Sequence, residues 1–330
     1  MDISLGGITG ANMYTRRLGR ALSWGEKYST FMILVTLIVI FSLLSPHFMT
    51  TTNVRNIVIR VSIMLVVAVG MTLVLISGGI DLSVGSVAVM SSMIVGTILK
   101  DHGISAVPIA ILAALGAGAL VGLTNGLFIG LFGVPPFIMT MAMMMIARSL
   151  AEFIQRGVVP DVPVEFSRFF MTNIAGTVPP LVVIAAVVAL AGHLVLSYTV
   201  FGASARGVGA NAAAAKFCAI PVMRYRLALY IASGVLAGLA GIMVVGRTNS
   251  ANPGALKNFE LEVIVGPIIG GVSFLGGKGT MVGTIIGVLI IGIIGNALNL
   301  LGIEPYWQMV TQGAIILAAV FLDYARHRKQ

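Results

Sequence analysis

Apolar residues in this chain run in long, nearly unbroken blocks, and polar residues collect in the short segments between them. Blocks of this kind predict membrane-crossing helices, because about 20 apolar residues span the hydrocarbon core and a helix satisfies its own backbone in lipid. Spans are expected at about 28–44, 57–77, 82–99 and 106–132, and from the Pro135-Pro136 pair to about Phe153. Others follow at about 178–196 and 227–245, from the 276–279 turn to about Leu301, and at about 306–322. The block from Val263 to Leu275 differs, being interrupted by Pro267 and by Gly270-Gly271. At ~1.5 Å per residue it falls short of a ~30 Å core, so a half-helix or bent span is expected there. The reading is an all-α polytopic membrane protein with about ten transmembrane helices, one of them short and broken. Residues 1–26 form an N-terminal segment, 27–323 the membrane domain and 324–330 a tail.

Composition agrees. Of 330 residues, 58% are hydrophobic and 9% charged, against about a quarter charged in soluble domains. With the N-terminus inside and ten crossings, inner segments hold 12 Lys and Arg residues and outer segments 7. That asymmetry places both termini in the cytoplasm. The net charge of +9 reads as orientation signal and headgroup contact, and no interleaving of basic and aromatic residues supports a nucleic-acid partner. The single cysteine, Cys218, excludes an intrachain disulfide.

The basic loop 198–226 lies between two apolar blocks on the expected cytoplasmic side and carries Arg206, Lys216, Arg224 and Arg226 with no acidic residue. Asn211 followed by Ala214, Ala215 and Lys216 predicts a short surface helix with Asn211 as its N-cap. Gly202, Gly207 and Gly209 are expected to loosen its approach. A short polar helix in that position is a docking handle for a cytoplasmic partner.

Gly78, Gly79, Asp81 and Ser83 form the sharpest local feature, GGIDLSVGS. An ionised Asp at a bilayer centre costs ~2.5–3.5 kcal/mol on insertion scales. Asp81 therefore reads two ways: as a cap on the third span, or as a group facing a polar path or moving joint. The stretches 78–85 and 270–277 resemble one another, and such interrupted segments can line a path between internal repeats. Asn125, Asn296 and Asn299 lie inside apolar spans, either bonded to neighbouring helices or touching solute along a path. Gly116, Gly118, Gly122 and Gly126 suggest a small-residue packing face. Arg148 is expected to snorkel to the outer interface or pair with Glu152. The outer charges Arg156, Asp161, Glu165, Arg168, Arg247 and Lys257 are either solvated loop residues or a docking surface for a soluble protein.

GGIDLSVGS resembles the signature of the membrane-spanning subunits of ribose-, xylose- and galactose-type ABC importers. Similarity continues through VPPFIMTMAMMMIARSL (134–150), the 198–226 loop, SGVLAGLAGI (233–242) and the block from Phe259 to Ile303. The resemblance implies a permease fold akin to the vitamin B12 importer and a second permease copy or paralogue. It implies cytoplasmic ABC ATPases that bind ATP and Mg, an external sugar-binding protein, and a bacterial inner-membrane location. It makes Arg206, Gly209, Asn211, Ala214, Ala215, Lys216 and Arg224 the ATPase-coupling set. The chain departs from the family at Ala203, Ala210, Ala212-Ala213 and Ala219, where the family usually has Arg, Gly, Pro-Glu and Gly. Two alternatives remain: an ion-coupled transporter using Asp81, and a permease for branched-chain amino acids. No Walker A, His-Glu-x-x-His or Gly-x-Ser-x-Gly motif is present, and the four histidines have no metal-ligand spacing. The chain reads as a transport subunit without catalysis, its energy supplied by a partner.

Overall fold

The structure is a computed structural model and describes residues 29–155, 161–174, 176 and 178–327. The expected N-terminal segment 1–26, Arg156 and the last three tail residues lie outside the described residues. The fold is built of helices: α1 (Ser29–Leu44), α2 (Thr51–Ile76), α3 (Val84–His102), α4 (Val107–Gly130), α5 (Pro136–Gln155) and α6 (Val164–Met171). There follow α7 (Pro180–Tyr198), α8 (Val200–Ala210), α9 (Ala212–Phe217), α10 (Val222–Thr248), α11 (Phe259–Ile269), α12 (Met281–Leu300) and α13 (Pro305–His327).

Among the described residues, seven helices (α2, α3, α4, α5, α7, α10 and α12) are long and apolar enough to cross a membrane. Six of them sort into two layers, with α12, 56% buried, between the two. The apolar window of α2 is 83% buried, and those of α3 and α10 are 72% and 67% buried, so these three form the core. The windows of α4, α5 and α7 are only 22%, 22% and 28% buried, although equally apolar. Their remaining surface suits lipid, where an apolar side chain costs nothing. The interrupted block forms α11, which holds Pro267 within it and stops at Gly270, as a half-helix does.

Several boundaries move outward from those expected. α2 begins at Thr51 because Thr50 caps it, its hydroxyl accepting from the Asn53 amide at 3.4 Å. Asn53 and Asn296 then exchange amide hydrogen bonds at 3.0 and 2.9 Å, tying α2 to α12. The 198–226 loop holds two helices, and α10 starts inside it at Val222.

The small-residue face of α4 is real but narrower than expected. A methyl on Gly118 would overlap the Gly234 carbonyl of α10, one on Gly122 the Tyr230 carbonyl, and one on Gly126 would lie 2.9 Å from the Leu227 Cα. Positions four apart share one helical stripe. Gly116, two residues off that stripe, faces open space. Gly122→Ala is therefore expected to lower stability by about 1–3 kcal/mol through overpacking, whereas Gly116→Ala leaves it unchanged or raises it by up to ~1 kcal/mol. Thermal unfolding of the two purified variants checks the contrast.

Candidate functional site

Between α2 and α3 the chain crosses the middle of the bundle without helical hydrogen bonds. Depth follows from α10, whose 27 residues make a rod of about 40 Å. Ser233 lies roughly 16 Å from its start, near the middle of a ~30 Å core. The Ser233 hydroxyl donates to Asp81 Oδ2 at 2.9 Å. Asp81 Oδ1 accepts from the Ser83 amide at 3.0 Å and from the Ser83 hydroxyl at 2.5 Å. Asn125 Nδ2 of α4 donates to Ser83 Oγ at 3.0 Å. The adjoining Ile80 carbonyl accepts from the Tyr230 hydroxyl at 3.1 Å and from the Thr140 hydroxyl of α5 at 3.4 Å. Irregular backbone at membrane depth is tolerable only where protein groups satisfy it, as they do here for the Ile80 carbonyl and the Ser83 amide. Asp81 is 1% exposed, so its carboxyl meets serines and no solvent within this chain. Ser233 and Tyr230 went unnoticed in the sequence, where a Ser in a Gly/Ala-rich span and a Tyr near a span's start carry no distinguishing signal.

The two glycine stretches do meet, but out of register. Gly78 lies against Gly276, whose added methyl would sit 2.8 Å from the Gly78 Cα, while Gly270 packs on Gly283 of α12. The Gly277 amide donates to the Ile76 carbonyl at 2.8 Å, closing the junction. Gly78, Gly276 and Gly277 have φ of +77°, +92° and +77°, a region that side chains rarely adopt. Gly271 at φ +88° turns the chain after α11 with open space around it. A methyl on Gly79 would lie 3.2 Å from Val74 and overlap the Tyr230 hydroxyl.

A third backbone enters the same junction. Any Cβ at Gly209 of α8 would overlap the Ile76 carbonyl and lie 2.8 Å from the Gly277 amide nitrogen. Gly202 packs equally closely on the Leu196 carbonyl. These two loop glycines permit contact, contrary to the expectation that they loosen the approach; only Gly207 has room around it. α9 follows directly, capped by Asn211, whose Oδ1 accepts from the Ala214 amide at 3.0 Å. Ala215 is buried against Val208 and Val222, while Ala214, Lys216 and Arg224 are exposed. Arg206 turns inward, donating to the Leu196 carbonyl at 2.7 Å. Phe217, at 91% exposed, projects beside Lys216. It was overlooked in the sequence, although an aromatic at the end of a short polar helix is a legible signal. Ala219 has φ +59°, a conformation costing an alanine roughly 1–2 kcal/mol and normally given to glycine.

The predicted outer charges gather at the opposite end. α6 packs there on α10, with the Ser167 hydroxyl donating to the Gly246 carbonyl at 2.8 Å. Asp161, Glu165, Arg168, Arg247 and Lys257 are exposed at this end. Arg148 does not pair with Glu152. Its Nη1 donates to the carbonyls of Pro253 and Ala255 at 2.7 and 3.2 Å, because the non-helical segment after α10 leaves acceptors that need donors. Asn299 Nδ2 donates to the Gly295 carbonyl at 2.8 Å, and its Oδ1 accepts from Gln308 of α13 at 3.0 Å.

The fold thus brings together an irregular segment inside the bundle, a capped helix at one end and a charged rim at the other. Comparison with known proteins places it. The chain is 36% identical over 321 residues to Ribose import permease protein RbsC of Escherichia coli, covering 96% of this chain and 97% of that one. It is 35% identical over 305 residues to D-allose transport system permease protein AlsC of Escherichia coli, covering 92% and 93%. It is 32% identical over 313 residues to L-arabinose ABC transporter permease protein AraH of Azospirillum brasilense, covering 91% and 88%. No solved structure matches the chain. Residues 53–320 match the family described as branched-chain amino acid transport system / permease component. Since that match takes in nearly all of α2, every helix from α3 to α12 and most of α13, this protein belongs to that permease family.

Proposed function

We propose that this chain is the permease subunit of an ATP-binding-cassette sugar importer, forming the path for a ribose-like monosaccharide. An external binding protein delivers the sugar at the end that carries Asp161, Glu165, Arg168, Arg247 and Lys257. Cytoplasmic ATPases holding ATP and Mg drive the cycle from the α9 end. Near full-length similarity to permeases named for ribose, allose and arabinose supports the substrate class. In this reading α1, α11 and α13 join the seven long helices to make ten membrane-embedded elements, akin to the vitamin B12 importer, and two copies or paralogues enclose the path. The surplus of Lys and Arg on the α9 side supports cytoplasmic termini in a bacterial inner membrane.

The observation that carries the mechanism is the continuity from α9 to the glycine junction that adjoins the Asp81 segment. Phe217 and Lys216 present an apolar anchor and a charge to an ATPase. Gly209, at the other end of this lever, touches both glycine stretches without an intervening side chain. A push on α9 therefore reaches the Gly78–Ser83 segment and the Gly270–Gly279 turn together. Those segments, with Asn125, form the gate, and the chain itself needs no nucleotide site.

Reversing charge at Lys216 and Arg224 (Lys216→Glu with Arg224→Glu) tests the docking surface. Uptake in the assembled transporter is expected to fall about 10-fold or more, each ~1.4 kcal/mol lost at the interface being one decade, while membrane insertion is unchanged. Unaltered uptake in that double variant removes the docking assignment.

A further inference from the structure

A cavity of about 1060 Å³ opens between α2, the start of α3, α5, the segment before α11 and α13. It lies toward the end of the bundle opposite α9, and reaches mid-depth where Glu260 meets Gly85 at the start of α3. Small-molecule sites span ~300–1,000 Å³, so a monosaccharide fits with some of its hydration water. None of the gate residues named above lines it.

Its chemistry is selective. Arg60, Arg148 and Lys257 face Glu152, Glu260 and Glu262, three cations against three carboxylates, so the lining has no net charge. Much of this is already organised. Arg60 pairs with Glu262 at 3.1 Å, and Gln312 Nε2 donates to the same Glu262 oxygen at 2.8 Å. Arg148 is held by the Pro253 and Ala255 carbonyls. Glu260 is the exception: its Oε2 is buried beside Gly85 with no hydrogen-bond partner. A buried acceptor left without a donor is costly, and because Glu260 also lines the cavity its carboxylate can turn to a donor from the occupant. Met144 and Met309 supply apolar wall.

We propose that this cavity is a solute site of the permease itself, and that it takes a neutral polyhydroxylated ligand, a monosaccharide, with one hydroxyl donating to Glu260. An anion or cation gains little from a lining that carries no net charge. A hydroxyl both donates and accepts, and so adds bonds without breaking the Arg60–Glu262 pair. The C–H face of a sugar ring suits the methionine wall. The proposal rests on the import reading above, and gives it a stopping point in the chain besides the external binding protein.

The full-length chain in lipid nanodiscs, without partner subunits, is titrated with D-ribose, D-allose, D-galactose and L-arabinose and followed by saturation-transfer NMR. Saturable binding of at least one aldose is expected. It should weaken about 10-fold or more in Glu260→Gln, which removes the free acceptor charge, and in Met309→Trp, which fills the cavity from an exposed position and tests occupancy should Glu260→Gln fold poorly. No saturable binding to the wild-type chain overturns the proposal, as does binding indifferent to Met309→Trp or tighter capture of L-leucine than of any aldose. ATP-dependent uptake by the assembled transporter is measured in parallel. If uptake persists without nanodisc binding, the cavity site fails and the import reading stands. Uptake driven by an ion gradient without ATP removes the import reading itself.

Discussion

Gly209→Val is expected to abolish uptake, and to do so with a substitution that removes no functional group. Even a single methyl at Gly209 overlaps the Ile76 carbonyl and crowds the Gly277 amide. These two atoms form the 2.8 Å hydrogen bond that closes the glycine junction. Backbone cannot rotate away as a side-chain tip can, so α8 must withdraw and the bond must open. Overpacking of this kind costs about 1–3 kcal/mol or more, and the lever from α9 loses its direct seat on both glycine stretches. Gly207→Ala, one half-turn away, is the internal control. Its methyl would meet only the Ile220 side chain at 3.7 Å, and alanine in a helix gains up to ~1 kcal/mol over glycine. Thermal unfolding and ATP-dependent uptake of both variants decide the matter. Equal behaviour of the two would show that the junction carries no motion.

Asp81→Ala comes second in size. It leaves the Ser83 amide and the hydroxyls of Ser83 and Ser233 without their acceptor, in a place where water does not reach. Each orphaned buried donor costs ~1–3 kcal/mol, partly offset by no longer burying a carboxyl group, for a net loss of about 2–4 kcal/mol. Asp81→Asn is expected to be far milder. Its oxygen still accepts from Ser83, and the Ser233 hydroxyl can turn to accept from the new amide. The pair separates two mechanisms. If Asp81 organises the joint, Asp81→Asn keeps most ATP-dependent uptake while Asp81→Ala loses it along with stability. If Asp81 carries an ion, both variants lose uptake and only Asp81→Ala loses stability.

The mid-depth joint was only partly legible in the sequence. GGIDLSVGS marks itself, because glycine pairs and an acid interrupt apolar blocks. Its partners do not. Ser233 of α10 and Asn125 of α4 reach it from far along the chain, and hydropathy assigns neither Ser233 to Asp81 nor Asn125 to Ser83. Arg148 was misread for a related reason. Its partners are carbonyls of a distant non-helical segment, whereas its own neighbourhood offered only the end of an apolar span and the one-turn spacing to Glu152. Gly209 was read as freedom and turned out to be contact, since a missing Cβ serves either purpose and the neighbouring backbone alone decides which.

By itself the sequence determined what depends on neighbours within a few turns: helical spans from uninterrupted apolar runs, the half-helix α11 from Pro267 and the Gly270-Gly271 break, and α9 from Asn211 and the alanines after it. The tertiary structure decided what depends on segments far apart. It set which apolar helices form the core and which meet lipid, which stripe of α4 touches α10, and how two glycine stretches and α8 close on one another. The division has a physical cause. Lipid and a protein interior are equally apolar, so hydrophobicity marks what enters the membrane but not which face meets another helix. That choice rests on backbone approach and buried hydrogen bonds, and both require two segments at once.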